Sequence, residues 1–267
     1  TKEKSTYSEN IYQIKRTKMT NLTNIQRCFV GLRSTELCDD VIVHIVKYLP
    51  VLTDENIREA ADDWCEGGKS KEKIEKMYGH ISKWDVSNVT NMSMVFLGAK
   101  SFNQPLNNWN VSNVTNMEGM FDRAGSFDQP LDKWNVSNVT NMEGMFYHAL
   151  VFNQPLYNWD VSNVTDMEGM FYLATSFNQN INDWDVSNVE NMYSMFSSAH
   201  SFNQPLNNWN VSNVTNMEEM FEDAISFNQP LNNWNVSNVE NMNRMFDCAR
   251  SFNPENASWY TGTWYTY

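Results

Sequence analysis

Apolar side chains recur along most of this chain with a period of 25 residues. Trp84, Trp109, Trp134, Trp159, Trp184, Trp209, Trp234 and Trp259 each open the same phrase, as in WNVSNVTNMEGMFDRAGSFDQPLDK from Trp109 to Lys133. Counted from its Trp, a unit is apolar at positions 1, 3, 6, 9, 12, 13, 16, 19 and 23; in the second unit these are Trp109, Val111, Val114, Met117, Met120, Phe121, Ala124, Phe127 and Leu131. A fixed period in this range marks units that cannot bury their apolar face alone and stack on their neighbours. The pattern predicts an α/β solenoid of seven stacked 25-residue units from Trp84 to Ser258, each a short strand plus a short helix.

Spacings of three and four from position 9 to position 16 are helical. Thr115 with Glu118, Thr140 with Glu143, Thr165 with Glu168 and Thr215 with Glu218 have the spacing of a capping box. The pattern therefore predicts a helix over positions 8 to 16. It is too short to survive alone in water, so burial of its Met-Phe face must hold it. Pro105, Pro130, Pro155, Pro205 and Pro230 at position 22 lack an amide donor and fix φ, which fits a bend. The Leu-x-x-Trp-x-Val stretch that follows, such as Leu106, Trp109 and Val111, is the strand candidate, paired in parallel from unit to unit. Amide pairs such as Asn103–Gln104 and Asn153–Gln154, and the Asn at position 5 from Asn88 to Asn238, suit ladders that satisfy loop backbone groups.

Outside the repeats the pattern changes. Residues 1–33 carry seven Lys or Arg against two Glu, a basic arm. Residues 34–83 read as an α-helical cap. One helix is expected from Thr35 to Tyr48, with Leu37, Val41, Ile45 and Leu49 along one stripe and Pro50 as its stop. A second is expected from Asp54 to Cys65, with Ile57, Ala60, Ala61 and Trp64 inward and Thr53 or Asp54 as N-cap. A third is expected from Ser70 to Met77, with Ile74 and Met77 inward and Gly79 as its stop. At the other end Asn253-Pro254-Glu255 replaces the usual Asn-Gln-Pro, and the aromatics of residues 259–267 form a C-terminal cap.

Charge narrows the partners. Residues 1–83 hold 14 basic and 13 acidic side chains, whereas the repeats hold 5 basic against 19 acidic. An acidic array repels nucleic acid phosphates and anionic lipid, which argues against nucleic acid as a partner. No apolar run approaches the ~20 residues of a membrane span. Cys28, Cys38, Cys65 and Cys248 show neither CxxC pairing nor His at metal-ligand spacing, so neither a zinc site nor a disulfide framework is expected.

The unit W[DN]VSNV[TE][ND]MxxMFxxAxxF[ND]Q resembles the repeats of the BspA-like leucine-rich-repeat proteins. Whole phrases such as WDVSNVTNM and SFNQPLNNW coincide, and the likeness covers 84–258 with its lead-in from Leu52. The resemblance implies a leucine-rich-repeat-like solenoid used for adhesion or protein binding, with no catalytic residues to carry over. Upstream, LCDDVIVHIVKYLP from Leu37 to Pro50 resembles the first helix of an F-box, which docks on the Skp1 subunit of ubiquitin ligases. That resemblance implies contact through Leu37, Val41, Ile45 and Leu49, although Cys38 stands where the family has Pro.

No enzyme signature emerges: HExxH, P-loop, GxGxxG and GxSxG are all missing, and His44, His80, His148 and His200 are scattered. No cofactor is expected. Binding should lie where units differ, and units three and four stand out with Tyr147, His148, Leu150, Tyr157, Tyr172 and Leu173. The sequence thus reads as a non-enzymatic protein-binding scaffold, in its narrower form an F-box-like substrate adaptor; the alternative is a surface adhesin. The N-V-T sequons at Asn88, Asn113, Asn138, Asn163 and Asn213 argue against a glycosylating secretory route and leave bacterial export open; an intracellular home is the favoured expectation. An export signal would instead place the chain at the cell surface.

Overall fold

The computed structural model describes residues 50–262. Helix α1, Ile57–Glu66, and helix α2, Gly68–Tyr78, precede a short 3-10 turn, Ile81–Lys83. The repeats follow, and Pro254–Ala257 forms a last 3-10 turn. The F-box-like stripe Leu37, Val41, Ile45 and Leu49, the basic arm and residues 263–267 lie outside the described residues.

The repeats hold neither α-helix nor strand among the described residues. Positions 8 to 16 form overlapping turns instead of the expected helix. In the second unit Met120 N–H donates to Met117 O, Asp122 N–H to Gly119 O and Ala124 N–H to Phe121 O. The intervening amides point along the stack: Met117, Gly119, Phe121 and Arg123 N–H donate to Asn141, Glu143, Met145 and Tyr147 O of the next unit, at 3.0, 2.7, 2.9 and 2.7 Å. Alternate peptide groups thus face the neighbouring unit, N–H toward the C-terminal end and C=O toward the N-terminal end. Such alternation needs left-handed residues. Positions 11 and 15 have positive φ in every unit, from Met94 (58°) and Gly98 (70°) to Arg244 (54°) and Cys248 (58°). Gly119, Gly144 and Gly169 meet that demand without strain, whereas Arg123 or Leu173 there costs about 1–2 kcal/mol.

The capping-box pairs do a different task from the one expected. Thr115 N–H and Oγ1 both reach Thr90 O of the preceding unit, at 2.8 and 3.3 Å. Glu118 N–H donates to Asn116 Oδ1 at 2.8 Å. Parallel pairing is confined to isolated bridges at position 8, from Asn91↔Asn116 to Asn216↔Asn241. The Leu-x-x-Trp stretch expected to be a strand is a turn, with Trp109 N–H on Leu106 O at 2.9 Å.

The apolar positions are the buried ones. From Trp109 to Leu131 every one of them is at most 3% exposed. Like positions stack as columns: consecutive Phe rings at position 13 lie 5.4–5.6 Å apart, from Phe96 to Phe246. Each packs on the Phe at position 19 of its own unit, as Phe121 on Phe127 at 4.1 Å. Trp134, Trp159 and Trp184 stack at 6.4 Å with 3° between planes. A buried indole N–H needs an acceptor, and the carbonyl at position 23 supplies it. Leu131 O accepts Trp134 N–H at 3.1 Å and Trp159 Nε1–H at 3.0 Å, so both its lone pairs are used.

Polar columns close the edges. Asn153 Oδ1 accepts Asn178 N–H and Gln179 Nε2–H, both at 2.9 Å, and Asp128 Oδ1 serves Asn153 and Gln154 in the same way. Position 20 is therefore used as an acceptor, which Asn or Asp satisfies. At position 5, Asn113, Asn138 and Asn163 donate Nδ2–H to Ser87, Ser112 and Ser137 O of the unit before, at 2.7–2.8 Å.

The ends differ from the interior. α1 buries Ile57, Ala60, Ala61 and Trp64 against the first unit. Neither Thr53 nor Asp54 caps it: its N-cap is Asn56, without a side-chain capping bond. The Asp54 carboxylate instead accepts Thr90 N–H, Thr90 Oγ1–H and Asn91 N–H at 2.6–2.9 Å, replacing a preceding unit. Burial by itself pushes the pKa of this carboxyl up, but these three bonds together outweigh that and hold it below the ordinary value. Arg58 donates to Ser93 O at 2.6 Å, and Trp64 packs edge-on against Trp84. α2 buries Ile74, leaves Met77 half-buried and ends at Gly79 with φ 79°. At the far end Tyr260 packs edge-on against Phe246 at 5.1 Å, while Val236, Val239 and Met242 stay only partly buried.

Candidate protein-binding face

The turns of positions 13 to 16 aim their two middle side chains away from the core. Both are pinned by the backbone, because position 15 donates to position 14 of the next unit: His148 N–H reaches Tyr172 O at 2.8 Å and Leu173 N–H reaches Ser197 O at 2.9 Å. Residues 25 apart therefore become surface neighbours. Tyr147 and Tyr172 stack with centroids 4.5 Å apart and 8° between planes. His148 lies alongside, 4.9 Å from Tyr147 and 5.9 Å from Tyr172. Leu173 is half-buried beside them, and Leu150 is 44% exposed. Tyr157 is 61% exposed at position 24 of its unit and stands outside this stack. The structure thus brings Tyr147, His148 and Tyr172 together and leaves Tyr157 apart.

Sequence reasoning missed three components of this face. Arg123 lies over the Tyr147 ring at 5.6 Å and pairs with Asp122 at 3.2 Å. Its position 15 in the second unit was the available signal. Val151, 43% exposed, extends the apolar surface from Leu150. The third component is the glutamate column at position 10, Glu118, Glu143 and Glu168. Burial first, and then Glu168, Glu118 and Asp166, hold the Glu143 carboxyl above its ordinary value. The ring of Tyr147 leans over Gly169, whose missing Cβ would meet Tyr147 Cδ2 at 3.5 Å. Aromatic and acidic columns are thereby adjacent, since Glu168 precedes Gly169.

Electrostatics on the face follow from packing. Burial, then Arg123, lowers the basicity of His148, while Asp122 opposes them. Burial, then the neighbouring Tyr172, raises the Tyr147 hydroxyl above its ordinary value. Among the described residues no group of three or more His, Cys, Asp or Glu is placed to hold a metal ion. None of their helices is long and apolar enough to cross a membrane.

The family model described as "Mycoplasma protein of unknown function, DUF285" matches residues 69–184 and 170–264. The chain belongs to the DUF285 family. The two matches span α2, every repeat and the C-terminal turn. No curated protein and no solved structure matches the chain.

Proposed function

We propose that this DUF285 chain is a non-enzymatic protein-binding scaffold: a BspA-like, leucine-rich-repeat-like solenoid whose third and fourth units hold the partner. The observation that carries the reading is the half-buried Tyr147–Tyr172 stack at the surface, with His148, Leu150 and Leu173 around it. Tyrosines rimmed by small apolar groups have the composition of interface hot spots. The rigid backbone beneath them limits the entropy lost on binding. The narrower form is an F-box-like substrate adaptor, in which the Leu37, Val41, Ile45 and Leu49 stripe engages Skp1 and the tyrosine face engages the substrate.

An intracellular setting is supported by the sequons. Asn113, Asn138 and Asn163 donate the side-chain nitrogen that a glycan would occupy to a neighbouring carbonyl. A glycan there would leave a single N–H on that nitrogen and crowd the next unit.

The test is a Tyr147→Ala/Tyr172→Ala double variant compared with the native chain in quantitative affinity capture, with circular dichroism as the folding control. Proteins recovered by the native chain should be lost from the folded variant. Undiminished recovery would move the binding face elsewhere.

A further inference from the structure

The tyrosine face has an acidic half without a cation of its own. Glu118, Glu143 and Glu168, at position 10 of units two to four, form a column of half-buried side chains one unit apart. Among the described residues none of the three takes part in an ion pair. Their spacing is fixed from below: Gly119 N–H donates to Glu143 O and Gly144 N–H to Glu168 O, both at 2.7 Å. The carboxylates therefore cannot spread apart without breaking the stack. Elsewhere the chain supplies the cation itself. In units six and seven Arg244 pairs with Glu219 at 2.6 Å, with Glu222, and with Asp247 at 3.3 Å.

Position 11 forms the strip between the acidic and aromatic columns. It is glycine only in units two to four; Met94, Ser194, Glu219 and Arg244 hold the same left-handed backbone with a side chain. Positive φ alone therefore does not impose glycine there. Over Gly169 the strip is filled by the Tyr147 ring, 3.5 Å from where a Cβ would stand. Over Gly144 only Tyr147 Cβ comes within 4 Å of that point, and Gly144 is half-buried where Gly119 and Gly169 are buried. The strip thus opens beside Glu143 and Tyr147. Leu150 and Val151, 44% and 43% exposed, continue the apolar side of the same unit.

We propose that the partner held by the tyrosine face, the reading on which this inference rests, is an extended basic segment of another protein that places an arginine over Gly144. Its guanidinium lies between the glutamate column and Tyr147, and apolar residues beside it cover Leu150 and Val151. Arginine suits the place better than lysine. Its planar fork serves two carboxylates at once and lies against aromatic rings, as Arg123 does on Tyr147 at 5.6 Å. The charge of the face is one-sided: Glu118, Asp122, Glu143 and Glu168 stand against Arg123 alone, so an acidic partner is repelled.

Fluorescence anisotropy on the full chain tests this, with labelled peptides of one Ser-Leu background that carry Arg, Gln or Glu at the same positions. The Arg peptide should bind, and the Gln and Glu peptides should not. Glu143→Gln/Glu168→Gln removes two charges at constant shape and should weaken binding at least about tenfold. Glu190→Gln/Glu240→Gln removes two exposed charges at position 7 and should leave it within about twofold. Circular dichroism checks that each variant is folded. Absence of Arg-peptide binding, equal binding of the Gln peptide, or equal weakening by the two pairs of substitutions would each overturn the proposal. Proteins captured by the native chain separate this partner from the face itself. Their loss from Tyr147→Ala/Tyr172→Ala but not from Glu143→Gln/Glu168→Gln would overturn the basic partner and leave the tyrosine face standing; retention by both variants would remove the face as well.

Discussion

Trp159 tests how the stack is held. It is 3% exposed, lies between Trp134 and Trp184 at 6.4 Å, and touches Phe146 at 6.3 Å. Trp159→Ala removes the ring from both columns and opens a cavity that rigid neighbours cannot fill, at about 3–5 kcal/mol. Trp159→Phe shifts the balance from packing to hydrogen bonding, because it keeps an aromatic ring in the column while losing the Nε1–H bond to Leu131 O and part of the indole's contact. That carbonyl still holds Trp134 N–H at 3.1 Å, so no acceptor is orphaned. The loss should stay near the net value of one bond, about 1 kcal/mol, with a smaller packing term added. Trp259 is the comparison, half-buried at the end and, among the described residues, stacked on one Trp, Trp234, at 6.3 Å. Its alanine variant should cost about half as much as Trp159→Ala. The assay is urea unfolding followed by circular dichroism, with melting temperature as a second measure wherever the array departs from a two-state transition. Equal losses for Trp159→Ala and Trp159→Phe, or for Trp159→Ala and Trp259→Ala, would refute the view of the column as a chain of paired contacts.

Two further outcomes follow from the polar columns. Asn153→Asp should leave the melting temperature nearly unchanged, because Asp128 already fills the same role, while Asn153→Leu should lower it by withdrawing the acceptor of two bonds. Glu143→Gln should raise the melting temperature at pH 7 by no more than a few degrees, since a half-exposed charge is screened. A carboxyl raised in the folded state contributes stability that is present below its ordinary 4.5 and lost as pH rises through the folded value. The gain from Glu143→Gln should therefore vanish near pH 4; a gain independent of pH would mean that the charge column is not its cause.

The candidate face was partly legible. Tyr147 and Tyr172 depart from their columns, so a comparison of units finds them without coordinates. Their stacking on each other was also implicit, because a 25-residue period places them side by side. Arg123 was missed because its importance depends on the rotamer that lays it over Tyr147. The separation of Tyr157 from the others depends on which way the chain turns after position 19, and no spacing rule supplies that.

The sequence by itself determined the length of the unit, its register, the positions that are buried and the polar rows that bind one unit to the next. These depend on side-chain chemistry repeated at a fixed interval, and burial selects the same chemistry every time. It did not determine the backbone. Spacings of three and four at positions 9, 12, 13 and 16 suit a helix, yet they arise equally from overlapping three-residue turns. Gly119, Gly144 and Gly169 at one fixed position were the local sign against a helix. The choice was made by the neighbours: a helix would turn its amides inward on itself, whereas the turns aim alternate amides at carbonyls one unit away, and those carbonyls exist only once the units are stacked.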